Sequence, residues 1–216
     1  MRASIIIIST MLLMQNIGCS QNAKRGNASQ KVGGGCEGCE EILQSPVAFD
    51  KLNWIDTLPD FKENGPKLEL TGKVLKPDGK TPAPNVVVYI YHTDQTGHYT
   101  NKYNEKGWAG RDGYIKGWIK TNEKGEYKFY TLKPAPYPGT NIPAHIHPII
   151  KEADKNEYYI DEFLFEGDPF LTASQRSKQE LRCGSGIITL QKKGDMLYGK
   201  RNLVLGLNIP NYPKEK

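Results

Sequence analysis

The run Val86-Val87-Val88-Tyr89-Ile90-Tyr91 constrains the fold more than any other segment. Six consecutive β-branched or aromatic residues suit a pleated surface and crowd a helix, so they predict a central strand. Residues 68–74 alternate apolar and polar, as a half-buried strand requires. Pro77-Asp78-Gly79-Lys80 then makes a turn in which Gly79 supplies positive φ. Further strands are predicted over residues 114–121, 126–131, 144–151, 158–165, 186–190 and 203–207, with a turn at 122–125. Helical periodicity is scarce; only residues 170–181 offer a short helix or an edge segment. Many short strands between Gly, Pro and Asn turns predict an all-β sandwich or barrel.

At 216 residues the chain is long enough for one domain with a sizeable core. Its formal net charge is +5, but basic residues are scattered among acidic ones. No basic stripe interleaved with aromatics exists, so no nucleic-acid surface is expected. At the N-terminus, Arg2 precedes Ile5-Ile6-Ile7-Ile8 and Met11-Leu12-Leu13-Met14. A positive start before a short apolar run predicts a secretory signal over residues 1–18, too short to be a spanning helix. The run ends in Gly18-Cys19, which resembles the lipobox of bacterial lipoproteins, although Asn16 and Ile17 depart from its commonest form. That resemblance implies export to the cell envelope, periplasm or outer membrane, with a lipid anchor on Cys19 as the sole membrane contact. Cleavage at an ordinary signal site is the alternative.

Residues 20–35 are rich in Ser, Asn, Gln, Lys and Gly. Residues 19–40 are therefore expected to form a flexible tether ahead of a domain at 41–216. Ile42, Leu43, Val47, Phe49, Leu52 and Trp54 suggest a packing arm at the start of that domain. Cys36-Glu37-Gly38-Cys39 has the spacing of half a zinc site or a redox pair, yet no second such pair completes a zinc site. In an exported chain a disulfide is the better expectation: Cys36 with Cys39, or either one with Cys183.

The four histidines carry the chemistry. His92 and His98 flank the loop after the 86–91 strand, and His145 and His147 are separated by one residue. On a strand, residues i and i+2 share a face, so these two imidazoles can grip one metal ion. The plain alternative is two half-exposed strand histidines without a ligand. Upstream lie Thr96-Gly97-His98-Tyr99 and Pro136-Tyr137-Pro138, where flanking prolines stiffen the backbone. Asn141-Ile142-Pro143-Ala144 leads into the histidines, and Phe165-Glu166-Gly167-Asp168-Pro169 follows them.

In order and spacing, these motifs and the strand-turn at 72–79 resemble the intradiol ring-cleavage dioxygenases of the catechol and protocatechuate type. The resemblance covers residues 68–169, about half of the chain. It implies a transthyretin-like β-sandwich, here with an irregular N-terminal arm. It also implies non-haem Fe(III) held by Tyr99, Tyr137, His145 and His147. Phenolate oxygen is a hard anionic ligand suited to Fe(III), and the metal's charge drives the phenol protons off. The implied reactants are a small aromatic diol and O2, with ring opening between the two oxygenated carbons. Tyr137 yields its place on the metal and takes up a proton, and no organic cofactor is required. His98 and Tyr103 are the substitutes should Tyr99 not be the ligand.

Two positions depart from the family pattern at its substrate-binding residues. Ile142 stands where the well-known members carry Arg, and Glu162 where they carry Gln. Ile142 donates no hydrogen bond, and a Glu162 carboxylate repels an anionic ring; Glu162 acts as a base or is a solvated strand residue. The loop 138–142 is also shorter than in those members, which opens the site to other substrates. Two competing readings stand beside the enzyme. One is an exported binding or adhesion sandwich with a degenerate site. The other is a zinc site on His145 and His147, although Tyr is an uncommon zinc ligand.

Overall fold

The computed structural model describes residues 31–214. The predicted signal at 1–18 and the lipid-anchor residue Cys19 lie outside the described residues. In chain order the elements are β1 (Ile55–Thr57), β2 (Lys67–Leu75), β3 (Val87–His92), α1 (Gly107–Asp112), β4 (Lys116–Lys120) and β5 (Glu126–Leu132). There follow β6 (His145–Lys151), β7 (Tyr158–Tyr159), β8 (Phe163–Phe165), α2 (Ala173–Ser177), β9 (Ile187–Ile188), β10 (Gln191–Lys193), β11 (Met196–Lys200) and β12 (Leu203–Val204).

These strands form two sheets packed as a sandwich. One runs β1-β5-β2-β11-β10, with β12 also on β2; the other runs β4-β3-β6-β8-β9, with β7 also on β6. The alternation read in residues 68–74 holds: Leu68, Leu70 and Val74 point inward and meet Val88, Ile90, Ile146, Ile150 and Phe163 of the second sheet. Burying each such side chain contributes about 1.5–3 kcal/mol, which fixes the strand register.

The second sheet is covered on its outer face too, so β3 is apolar on both sides. Val87, Tyr89, Trp118 and Ile149 form a second apolar cluster there with Cys39 and Ile42 of the N-terminal arm. The arm is fastened by polar contacts as well. The Trp118 indole donates to the Ile42 carbonyl at 3.0 Å, and Lys116 Nζ lies between Glu41 and Glu105 at 3.4 and 2.9 Å.

The structure shortens the expected tether. Val32 is buried in the main core, and its backbone N–H and carbonyl both bond the Asn156 side chain, at 2.7 and 3.1 Å. The polar composition of 20–35 conceals this anchor because a single apolar residue carries it. Cys36 and Cys39 form the disulfide. Cys183 has no disulfide partner among the described residues and is buried in the inner core, on the opposite side of the sheet from the pair.

The strand expected over 158–165 is two short pieces. Residues 149 and 150 pair with 159 and 158, whereas 145 and 146 pair with 164 and 163. The offset is one residue, so residues 160–162 hold an extra residue opposite His147 and Pro148. Pro148 has no N–H to offer a ladder, which favours the interruption here. Strands β1, β10 and β11 escape the sequence reading: β1 and β10 span three residues each, and β10 is fully exposed Gln-Lys-Lys, a charged sheet edge.

Candidate metal centre

His145 and His147 lie on β6 with their side chains on the outer face of the second sheet, as the i, i+2 rule demands. Their ring centroids are 4.6 Å apart and nearly perpendicular. Each ring is oriented by a partner on Nδ1. His145 Nδ1 lies 2.7 Å from the Pro143 carbonyl oxygen, and His147 Nδ1 lies 3.3 Å from Glu162 Oε1. The Pro143 carbonyl can only accept, so the His145 ring proton resides on Nδ1; the Glu162 carboxylate sets its charge on the Nδ1 side of His147, which favours the proton there, and each Nε2 then presents a lone pair away from these partners.

Two tyrosines meet those lone pairs. Tyr99 Oη is 2.8 Å from His147 Nε2, Tyr137 Oη is 3.1 Å from His145 Nε2, and the two phenol oxygens are 2.6 Å apart. Four donor atoms from three separate segments thus converge.

Tyr99 sits on the loop after β3, which Asp94 shapes. Its carboxylate accepts the N–H groups of Thr96 and His98 at 2.8 and 3.2 Å and the Thr100 hydroxyl at 2.6 Å. Tyr137 sits on the Pro136-Tyr137-Pro138 segment. Gly97 joins the two loops: its φ is +80°, and a Cβ there would lie 2.2 Å from the Pro136 carbonyl oxygen. Asp168, from the 165–169 motif, accepts the Ala144 N–H at 3.2 Å and the Phe170 N–H at 2.9 Å. It therefore anchors the backbone next to His145.

Burial raises the Tyr99 phenol far above the ordinary tyrosine range, and its hydrogen bond with Tyr137 adds to this. Burial likewise raises Tyr137. His147 is held well below the usual imidazole range, first by burial and then by the neighbouring His145 and His92. Without a cation both phenols therefore keep their protons and the His147 ring is neutral. Loss of the two phenol protons leaves two anionic oxygens and two neutral imidazoles aimed at one place. That donor set fits a hard trivalent cation such as Fe(III).

His145, His147 and Glu162 also form a His-His-carboxylate group whose ligand atoms lie within 4.8 Å of one another. That set suits zinc less well than it first suggests. Glu162 faces Nδ1 of His147, whereas both Nε2 atoms face the phenols. The two phenol oxygens on the Nε2 side supply the anionic oxygen donors that favour a trivalent ion over zinc.

The remaining sequence-derived residues divide. Glu162 reaches the cluster through the bulge at 160–162; Ile142 is 41% exposed on the loop between Tyr137 and His145. His98 is exposed with Nδ1 near the Thr96 hydroxyl, and Tyr103 is exposed against Tyr114, so neither substitutes for Tyr99. His92 is wholly buried on the inner face, between the Thr131 hydroxyl at 2.7 Å and the Thr93 carbonyl at 2.8 Å. Sequence reasoning missed Tyr91, whose ring stacks on His147 at 4.7 Å. The signal was present: Tyr91 is i+2 from Tyr89 and so shares the outer face of β3.

A cavity of about 350 Å³ opens beside His147, lined by Tyr91, Tyr159 and Glu162 among others. Fold and cluster together define a β-sandwich with a two-tyrosine, two-histidine donor set on one sheet face. The Dioxygenase family profile matches residues 50–184, well over half of the chain. The chain belongs to the intradiol ring-cleavage dioxygenase family. It is 30% identical over 169 residues to catechol 1,2-dioxygenase 1 of Acinetobacter lwoffii, covering 68% of this chain and 52% of that protein. It is 29% identical over 113 residues to the protocatechuate 3,4-dioxygenase beta chain of Burkholderia cepacia, covering 50% and 48%. The chain thus spans about half the length of these curated relatives. Among solved structures, 3-chlorocatechol 1,2-dioxygenase from Rhodococcus opacus 1CP superposes with a TM-score of 0.54 at 21% identity, over 68% of this chain and 63% of that one. An intradiol ring-cleavage dioxygenase from Tetranychus urticae gives 0.52 at 22% identity, over 74% and 90%. At those identities the structures speak for the fold alone.

Proposed function

We propose that this chain is a non-haem Fe(III) intradiol dioxygenase. It takes a 1,2-dihydroxy aromatic and O2 and opens the ring between the two oxygenated carbons. Both oxygen atoms end in the product, a muconate-type diacid. The observation that carries this reading is the convergence of Tyr99, Tyr137, His145 and His147 through contacts of 2.6–3.1 Å.

Ferric iron, when bound, supplies Lewis-acid and template chemistry. The chain's own residues do the rest. His145 and His147 stay in place, because the Pro143 carbonyl and Glu162 fix their rings. Tyr137, the tyrosine of the Pro-Tyr-Pro motif, would by analogy with the family be the residue that takes up a substrate proton on its Oη. Ile142 and Glu162 stand near the substrate, Ile142 as an apolar contact and Glu162 as a carboxylate that disfavours anionic rings. Export and a lipid on Cys19 belong to the same proposal; they rest on the apolar run and Gly18-Cys19.

Purified protein loaded with Fe(III) is expected to be red-brown, from tyrosinate-to-iron charge transfer, with the colour weakened in Tyr137→Phe. Protein that stays colourless after ferric loading overturns the iron assignment. Oxygen uptake with a panel of catechols tests the reaction separately.

A further inference from the structure

The Cys36-Glu37-Gly38-Cys39 loop has a place that the donor cluster does not explain. The arm is fastened on both sides of it. Ahead of the loop, the Gly33 N–H donates to the Pro210 carbonyl at 2.7 Å, and the Gly33 carbonyl accepts from the buried Arg182 at 2.8 Å. Gly33 has φ +83°, and a Cβ there would come within 2.4 Å of Tyr158 Cβ, so the backbone itself is seated against the sheet. At the far end of the loop, Gly38 has φ +80° and lies against the Trp108 ring, while Cys39 is buried with Ile42. The disulfide closes residues 36–39, so the loop is held at Gly33 on one side and at Gly38 and Cys39 on the other.

Residues 35–37 form one wall of the 350 Å³ cavity; Tyr91, His147, Tyr159, Glu162 and Gln179 contribute to the facing walls. The cavity therefore lies between the histidine-bearing sheet face and a strap of chain. Strands alone do not supply that wall, because β6 and its neighbours leave the outer face open.

We infer that the disulfide-closed arm is the size filter of the aromatic-diol site: residues 35–37 limit the ring substituents that fit beside His147, and the Cys36–Cys39 bond keeps that wall in place. The inference rests on the proposed dioxygenase reading. It assigns the Cys-x-x-Cys motif to substrate selection rather than to metal binding or thiol chemistry. A closed loop has few conformations, so its backbone cannot retreat to admit a bulky group.

Two variants push the filter in opposite directions. Gly35→Leu adds bulk where the structure has room: a Cβ at Gly35 meets no atom within 4 Å, so the added side chain is tolerated by the fold. Cys36→Ser/Cys39→Ser removes the closure. For each protein, the ferric charge-transfer band is recorded, and kcat/KM is measured for catechol and for 4-tert-butylcatechol. The expected result is a ratio of the two kcat/KM values that moves against the bulky diol in Gly35→Leu, by roughly tenfold or more. The double serine variant should move it toward the bulky diol. Wild-type ratios in Gly35→Leu, with the band intact, overturn the inference and leave the dioxygenase reading standing. A wild-type protein with no ferric band, or with no turnover of either diol, overturns that reading and this inference together. Should the double serine variant not fold, Gly35→Leu alone decides.

Discussion

Glu162 and His147 are held face to face by a β-bulge: Oε1 lies 3.3 Å from Nδ1, and the extra residue at 160–162 sets this pairing. Were β7 and β8 one continuous ladder, the register of 149 with 159 would place Asp161 opposite His147. Asp161 instead accepts the backbone N–H groups of Leu181 and Arg182, both at 2.9 Å. The bulge thus sends one carboxylate to a structural task and the next to the histidine.

Glu162→Ala is expected to weaken ferric iron binding by about 10–100-fold, the usual effect of removing a partner that orients a histidine ligand. Glu162→Gln, which keeps an acceptor oxygen but loses the charge, should fall between. Competition with a coloured chelator measures both. Wild-type affinity in Glu162→Ala would show that His147 needs no such support.

Gly97→Ala should disturb both tyrosine loops at once. The substitution combines a positive φ with a clash against the Pro136 carbonyl oxygen. A cost of about 1–3 kcal/mol is expected, or a Tm lower by roughly 2–4 °C per kcal/mol for a domain of this size. The ferric charge-transfer band should weaken with it. Thermal melts and the band together separate this from a remote loss of stability, which would lower Tm and leave the band unchanged.

Asp168→Ala removes the acceptor for the Ala144 and Phe170 N–H groups. Each backbone donor left without a partner costs about 1–3 kcal/mol where it is buried. Ala144 is 1% exposed, so its N–H carries most of the expected loss. Asp168→Asn, which retains a carbonyl acceptor, should recover much of it in urea denaturation. Equal stabilities of Asp168→Ala and the wild type would remove this anchor from the account of the site.

Asp60 and His92 give the fold opposing pH dependences. Both are almost fully buried, and the Thr131 hydroxyl lies between them: it bonds the Asp60 carboxylate at 2.9 Å and lies 2.7 Å from His92 Nε2. Burial pushes Asp60 up to about 6, against hydrogen bonds from the Leu132 N–H and Thr131 that pull it down. From an ordinary value of about 3.9, the protonated form is favoured on folding. Its contribution is full below about pH 4 and is lost as pH rises through 6, amounting to about 3 kcal/mol. Burial pushes His92 down to about 4. Its contribution is present above about pH 6.5 and is lost as pH falls toward 4. Asp112, which burial also raises to about 6, acts in the same direction as Asp60, so the test is the difference between two proteins. Asp60→Asn should be more stable than the wild type at pH 7 and lose that advantage as pH falls from 6 to 4. Denaturant titrations across that range decide; a difference that does not change with pH would contradict the assignment to Asp60.

The parts of the site that were legible in the sequence share a cause: each rests on chain-local geometry. The one-residue spacing of His145 and His147 places both rings on one face of any strand, and the prolines around Tyr137 set its backbone wherever the segment lies. The alternation at 68–74 likewise announces which residues turn inward. Glu162 was found by counting along the chain, but its partnership with His147 was not, because a bulge leaves no mark in apolar periodicity. Val32 escaped notice for a similar reason: one buried residue in a polar run has no period.

The amino-acid sequence by itself determined most of the strands and the shared face of His145 and His147, since these follow from residue type and spacing, whereas Tyr99 and Tyr137 were implied by the resemblance of their motifs to the family. Only the tertiary structure decided which face of the sheet the donors occupy, that Cys36 pairs with Cys39 while Cys183 stays in the inner core, and that the arm returns to wall the cavity beside His147. Those outcomes depend on contacts between residues more than a hundred positions apart, such as Val32 with Asn156 and Gly33 with Arg182. Their energies arise from burial and hydrogen bonding that exist only once both partners have been brought together.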